Sequence, residues 1–165
     1  MNTKHTISLL VNNQPGVLVR VASLLSQRGI NIDSISVGES EEDGLSRMII
    51  VTQGDQRILE QVMKQLHKLI DVIKVQHISA NPMVARELVL IKVESTPEKR
   101  VEINGIVGPF RANIVDVSPQ SLIIQATGDV DKINALVELL RPFGIKEISR
   151  TGLTAMPRGL VGVTK

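Results

Sequence analysis

The chain has 165 residues, of which 42% are hydrophobic and 22% charged, so it can bury a core and is not expected to be disordered. Only 1% of the residues are aromatic, which argues against stacking platforms for bases, and a net charge of +2 without a long basic run argues against nucleic-acid binding. The absence of Cys excludes disulfides, thiolate catalysis and cysteine metal sites.

The first half of the chain has the pattern of a strand–helix–strand–strand–helix–strand unit. Ile7, Leu9 and Val11 recur at every second residue, as in a strand with one face in a core. From Val17 to Leu25, apolar residues recur at helical spacing. The predicted elements are a strand at 5–11, a helix at 17–28, strands at 30–37 and 45–52, a helix that starts after Asp55 and a strand at 72–78.

The second half repeats this order. We predict a strand at 88–93, a helix at 96–107, a hairpin of strands at 112–117 and 121–127, a helix at 129–140 and a strand at 145–149. The two halves also share a short sequence, since residues 52–55 (TQGD) are similar to residues 126–129 (ATGD). The sequence therefore predicts an α+β fold of two tandem ferredoxin-like βαββαβ domains, at residues 1–80 and 84–152, with a loosely ordered tail at 153–165.

The segment between the first strand and the first helix is the best candidate for a binding site. Pro15 suits the first turn of a helix and keeps Gln14 extended, as a helix N-cap requires. Gly16 has no side chain, so the free N–H groups of that turn are open to a carboxylate or a phosphate. Asn13 offers an acceptor and donors beside them. These residues predict a small-anion pocket, and an ordinary strand-to-helix turn is the alternative.

The second strand lies at a sheet edge in a βαββαβ unit. It carries one charge, on Asp33, and no proline, so little in its sequence would prevent the edge from pairing with another strand. We predict that it pairs with its copy in a second chain to form a symmetric dimer. An edge covered by the second domain is the alternative.

Other polar residues predict no chemistry. His5, His67 and His77 have no carboxylate or second His at metal-ligand spacing, and no catalytic constellation is visible. The acidic turn at residues 38–44 lacks the spacing of a calcium loop. The sequence shows no signal peptide, transit segment or membrane-spanning run, and we expect a cytoplasmic protein.

The segment Asn13-Gln14-Pro15-Gly16-Val17-Leu18, followed by SQRGINI at residues 26–32, resembles an ACT domain. The chain as a whole is similar to the regulatory small subunits of acetolactate synthase, also called acetohydroxyacid synthase. Further segments that carry this resemblance are residues 45–48, 59–69, 71–72, 86–88, 114–117 and 149–152.

The resemblance implies a subunit without catalysis or cofactors of its own. It implies a homodimer that binds a catalytic large subunit carrying thiamine diphosphate, magnesium and FAD, raises its activity and makes it sensitive to valine. It also implies that valine binds between the N-terminal ACT domains of two protomers, at Asn13, Gly16 and Asn31 with Val17 and Leu18 beside them. The effector carboxylate would meet N–H groups after Gly16, and its ammonium would need the two asparagines or backbone carbonyls.

Two other function classes stay open. One is a stand-alone ACT-domain amino-acid sensor that acts on another partner, although no helix-turn-helix or basic face supports a role on DNA. The other is a ferredoxin-like enzyme, which would need a nucleophile or an acid–base pair in a cleft. The preference among valine, leucine and isoleucine is also open.

Overall fold

The computed structural model describes residues 3–161, and the chain divides into two units between Val84 and Ala85. The first unit contains β1 (Thr3–Asn12), α1 (Val17–Gln27), β2 (Ile32–Glu39), β3 (Leu45–Gly54), α2 (Gln56–His67) and β4 (Val72–His77), followed by a 3-10 helix (Ile78–Ala80). The second contains β5 (Met83–Glu94), whose first residues still belong to the first unit, then α3 (Pro97–Val107), β6 (Asn113–Ser118), β7 (Ser121–Gly128), α4 (Val130–Leu140), a 3-10 helix (Arg141–Phe143) and β8 (Ile145–Arg150).

Both units have the ferredoxin-like strand order, and the predicted fold class is therefore confirmed. The first sheet has the order β2-β3-β1-β4, and the second has the order β6-β7-β5-β8. The paired strands are antiparallel in both sheets. As expected, β2 lies at the edge of its sheet.

Each unit has its own aliphatic core between one sheet face and two helices. In the first unit, Ile7, Leu9 and Val11 of β1 lie in one buried cluster with Val21 and Leu25 of α1. In the second unit, the cluster contains alternate residues of β5 and the inner face of α4: Val89, Ile91, Val93, Ile133, Leu136 and Leu140. Burying one such side chain contributes about 1.5–3 kcal/mol, so a chain almost without aromatic residues still has two adequate cores.

The helices are short, with 11 or 12 residues each. As predicted, Asp55 caps α2, where its carboxylate accepts from the Ile58 amide at 2.9 Å. Asp129 caps α4 in the same way, accepting from the Lys132 amide at 2.8 Å. Among the described residues, no helix is long and apolar enough to cross a membrane.

The prediction of a loosely ordered tail is wrong for the residues that directly follow β8. Thr154–Pro157 form a further strand, β9, and the chain from Leu153 onward groups with the first unit. Leu153 and Ala155 are buried, while their neighbour Thr154 is exposed. This alternation is that of a strand lying flat on a surface. Residues 162–165 of the predicted tail lie outside the described residues.

Candidate functional site

The segment between β1 and α1 is a tight turn anchored on both sides. The Asn12 amide donates to the Asp71 carbonyl and the Asn13 amide to the Gly44 carbonyl, both at 2.8 Å. Gly16 has φ 85 and ψ −6, and the Val17 amide lies 3.4 Å from the Gln14 carbonyl. These are the features of a type II turn, in which Pro15 takes the second position and glycine the third.

This turn corrects the sequence prediction for the start of the helix. Pro15 does not occupy the first helical turn, and Gln14 is not the N-cap. Instead α1 begins at Val17, and Gly16 is its N-cap. The physical reason is that the dipeptide Pro15-Gly16 matches the second and third positions of a type II turn better than a helix start, since Gly16 adopts a positive φ without strain.

The start of α1 is open, unlike the starts of the other described α-helices. The Leu18 and Val19 amides have no intrahelical acceptor because they belong to the first turn. Gly16 has no side chain to cap them, and this turn contains no acidic residue. In α3, by contrast, Glu98 lies in the first turn, and hydrogen bonds from its own backbone N–H and from Thr96 lower its pKa. Since α2 and α4 are capped by aspartates and α3 has Glu98, α1 alone among the described α-helices has neither a capping side chain nor an acidic residue in its first turn.

An arginine that the sequence prediction missed lies beside this turn. Arg20 donates from Nε and Nη2 to Asp71 Oδ2 at 2.8 and 2.7 Å. Its Nη1 lies 3.0 Å from the position that a Cβ on Gly16 would take. A guanidinium therefore lies next to the turn. Asp71 therefore binds both sides of the turn: its carbonyl accepts from the Asn12 amide before the turn, and its carboxylate accepts from Arg20 after the turn.

The predicted site residues do not all come together in one chain. Asn13 and Gly16 are exposed at the turn, and Leu18 is 45% exposed beside them. Val17 is 3% exposed and its side chain packs in the core of the first unit, so it anchors the turn and is not exposed to a ligand.

Asn31 lies beyond the opposite end of α1, just before β2. The 11 residues of α1 separate the turn from Asn31 by roughly 16 Å along the helix. The carboxamide of Asn31 donates to Asp33 at 3.3 Å. A ligand the size of an amino acid cannot bridge that distance within one protomer.

Two histidines that are 72 positions apart in the sequence form a pair. His5 Nδ1 lies 3.3 Å from His77 Nε2, which also lies 3.0 Å from Ser79 Oγ. Burial and the neighbouring His5 lower the pKa of His77. No group of three or more His, Cys, Asp or Glu suited to a metal ion occurs among the described residues.

Comparisons with known proteins agree with the fold and with the resemblance. A family model described as the AHAS small subunit-like ACT domain matches residues 7–74. A second, described as the small subunit of acetolactate synthase, matches residues 86–159. The chain is thus an ACT-domain protein by fold and by sequence.

Relatives define the family more closely. The chain is 56% identical to a probable acetolactate synthase small subunit from Archaeoglobus fulgidus, over 94% of this chain and 98% of that protein. It is 52% identical to the acetolactate synthase small subunit of Bacillus subtilis, over 94% and 91% of the two chains. The crystal structure of the acetolactate synthase small subunit from Thermotoga maritima matches with a TM-score of 0.88 at 45% identity, covering 95% of this chain and 98% of that one. The chain belongs to the family of acetolactate synthase small subunits.

Proposed function

We propose that this chain is the regulatory, non-catalytic subunit of an acetolactate synthase. In this role it binds the thiamine-diphosphate-dependent catalytic subunit, raises its activity and makes it subject to feedback inhibition by valine, as part of branched-chain amino acid biosynthesis. Thiamine diphosphate, magnesium and FAD belong to the catalytic subunit in this proposal, and the holoenzyme is cytoplasmic. Family membership supports the partner, and the turn before α1 supports the effector.

The observation that carries the effector proposal is the open start of α1. The Leu18 and Val19 amides can donate to a carboxylate, and so can Arg20 Nη1, which faces Gly16 while Nε and Nη2 bind Asp71. Asn13 supplies an oxygen for the ammonium group. Leu18 is 45% exposed and offers an apolar surface for a branched side chain.

The separation of Asn31 from the turn supports a site shared by two protomers. Because β2 pairs only with β3 among the described residues, its other edge is free to pair with a second copy. Antiparallel pairing of two β2 strands would bring Asn31 of one protomer to the Gly16 turn of its partner. The effector would then favour one arrangement of two domains over another, which is the requirement for allosteric control.

The test is acetolactate formation by the matching catalytic subunit, with and without this chain, across a valine titration. Activation followed by inhibition is the expected result. Activation without inhibition would support the catalytic subunit as the partner but would exclude valine as the effector. No effect on the catalytic subunit would favour a stand-alone ACT-domain sensor, and turnover by this chain alone would revive the enzyme hypothesis.

A further inference from the structure

Residues 153–157, here named the strap, are fixed to the edge strand of the first unit. The Leu153 carbonyl accepts from Ser36 Oγ at 2.9 Å, and the Leu153 amide donates to Ser34 Oγ at 3.4 Å. Leu153 is 5% exposed and Ala155 is 7% exposed. Further along the chain, the Arg158 amide donates to the Pro82 carbonyl at 2.9 Å. The last part of the chain therefore binds a sheet that forms from the first part.

The two serines lie on the sheet face opposite α1 and α2. Ser34 is in register with Val51, and Ser36 with Ile49. Ile49 and Val51 are buried but alternate with the β3 residues of the helix-facing core, so they belong to the other face. The strap thus docks on this face and leaves the backbone edge of β2 free.

The strap attaches to β2 next to Asn31. The register of β2 shifts between Ile32 and Ser34, which leaves Asp33 as a bulge. Asp33 accepts from Asn31 at 3.3 Å and from Gln53 at 2.8 Å. A ligand that takes the Asn31 carboxamide must alter its bond to Asp33, the residue directly before Ser34.

The strap joins the second unit at the same residue that binds the two serines, because Leu153 directly follows Gly152, the last residue of that unit. Thr151 is bound to β5, since its amide donates to the Leu88 carbonyl and its hydroxyl accepts from the Leu88 amide, both at 3.0 Å. Leu153 is bound to β2, so only Gly152 lies between the two anchors. One residue spans at most about 3.6 Å, so Leu153 cannot move far from Thr151 without displacing it.

We propose that the strap transmits effector occupancy at the start of β2 to the second unit, and that its docking on Ser34 and Ser36 is required for inhibition. This inference rests on the proposed function, because it needs an effector at Asn31. The route has three steps: the Asn31 carboxamide changes partner, the bulge at Asp33 shifts, and the serines move the strap. Each step is a contact between residues adjacent in space or in sequence.

The test uses the reconstituted holoenzyme with the double substitution Ser34→Ala and Ser36→Ala. Each lost hydroxyl is expected to weaken strap docking about 2- to 10-fold. We expect the double variant to activate the catalytic subunit and to bind valine as the unmodified chain does, while maximal inhibition by valine falls at least about twofold. Ser40→Ala is the matched control, because its hydroxyl contacts only the Glu42 backbone in the acidic turn.

A second readout keeps the inference testable if the double variant folds poorly. The chain has no Cys, and Met156 is 65% exposed, so Met156→Cys creates a single site for a nitroxide label. With both serines intact, valine is expected to change the mobility of this label in the holoenzyme.

Valine that binds, by calorimetry, without changing the label spectrum would overturn the role of the strap. Full inhibition of the serine double variant would do the same. Failure of valine to bind the unmodified chain would instead overturn the proposed function, so the two failures are distinguishable.

Discussion

Replacing Gly16 with Asp places a carboxylate where the effector carboxylate is expected to bind. Two unit charges about 4 Å apart repel by about 4 kcal/mol at an effective dielectric constant of 20, and salt and the nearby Arg20 reduce this value. A remaining cost of about 2–3 kcal/mol weakens valine binding by about 30- to 150-fold. The positive φ adds a folding cost of about 1 kcal/mol, since an L-residue is strained there.

The matched control is Gly16→Asn, which has the same shape and the same backbone strain without the charge. Both variants also place a Cβ 3.0 Å from Arg20 Nη1, the far end of a flexible side chain that can move. Isothermal titration of valine into each variant measures the difference, and activation of the catalytic subunit reports whether the chain is folded. Equal valine affinity in the Asp and Asn variants would refute placement of the effector carboxylate at this turn.

Further predictions concern the partner protomer, the guanidinium and the histidine pair. Asn31→Ala is expected to weaken valine binding about 2- to 10-fold, because one hydrogen-bonding group is lost. A mixed dimer of Gly16→Asp and Asn31→Ala chains is expected to regain one unmodified site, and therefore half the valine stoichiometry by calorimetry. Arg20→Ala is expected to reduce valine affinity and its dependence on salt, and to lower the unfolding free energy by about 1–3 kcal/mol, since Asp71, whose side chain is 15% exposed, loses its partner. Because the folded state lowers the pKa of His77, protonation favours unfolding, so the melting temperature is expected to fall as the pH drops below about 6.5.

Each of these predictions has its own control and contrary outcome. Asn134→Ala removes an asparagine of α4 that is not part of the proposed site, and is expected to leave valine binding unchanged. A mixed dimer that binds no valine would contradict a site shared between protomers. If the valine affinity of the Arg20→Ala variant depends on salt as strongly as that of the unmodified chain, the guanidinium is not part of the site. His77→Gln should reduce the pH slope of the melting temperature, and an unchanged slope would contradict the role of His77.

Most of the fold could be predicted because its signals are local. The alternation of Ile7, Leu9 and Val11 places β1, and the repeated Gly-Asp pairs ending in Asp55 and Asp129 place the starts of α2 and α4. The strand order then follows from the repeated βαββαβ pattern. The strap was missed because its alternation is short and lies among glycines and a proline, which usually indicate loops.

Less of the candidate site could be predicted from the residues alone. The type II turn competes with a helix start for the same Pro-Gly dipeptide, and the sequence prediction chose the wrong one. Arg20 and Asp71 are 51 residues apart, and His5 and His77 are 72 apart, so no local pattern connects them. The inclusion of Asn31 depended on family resemblance, because it lies at the opposite end of α1 from Gly16.

The docking of the strap also sets an order of events during synthesis. The ribosome makes β1 to β4 first, whereas the bonds of Ser34 and Ser36 to Leu153 can form only 119 and 117 residues later in the chain. We expect the core of the first unit to form before the strap docks, because the residues of that core lie at positions 7–75. A chain truncated before Leu153 would retain the Gly16 turn and Asn31 but lack the contacts of Ser34 and Ser36 with Leu153. The proposed effector residues and the strap contacts can therefore be separated by the point at which the chain is cut.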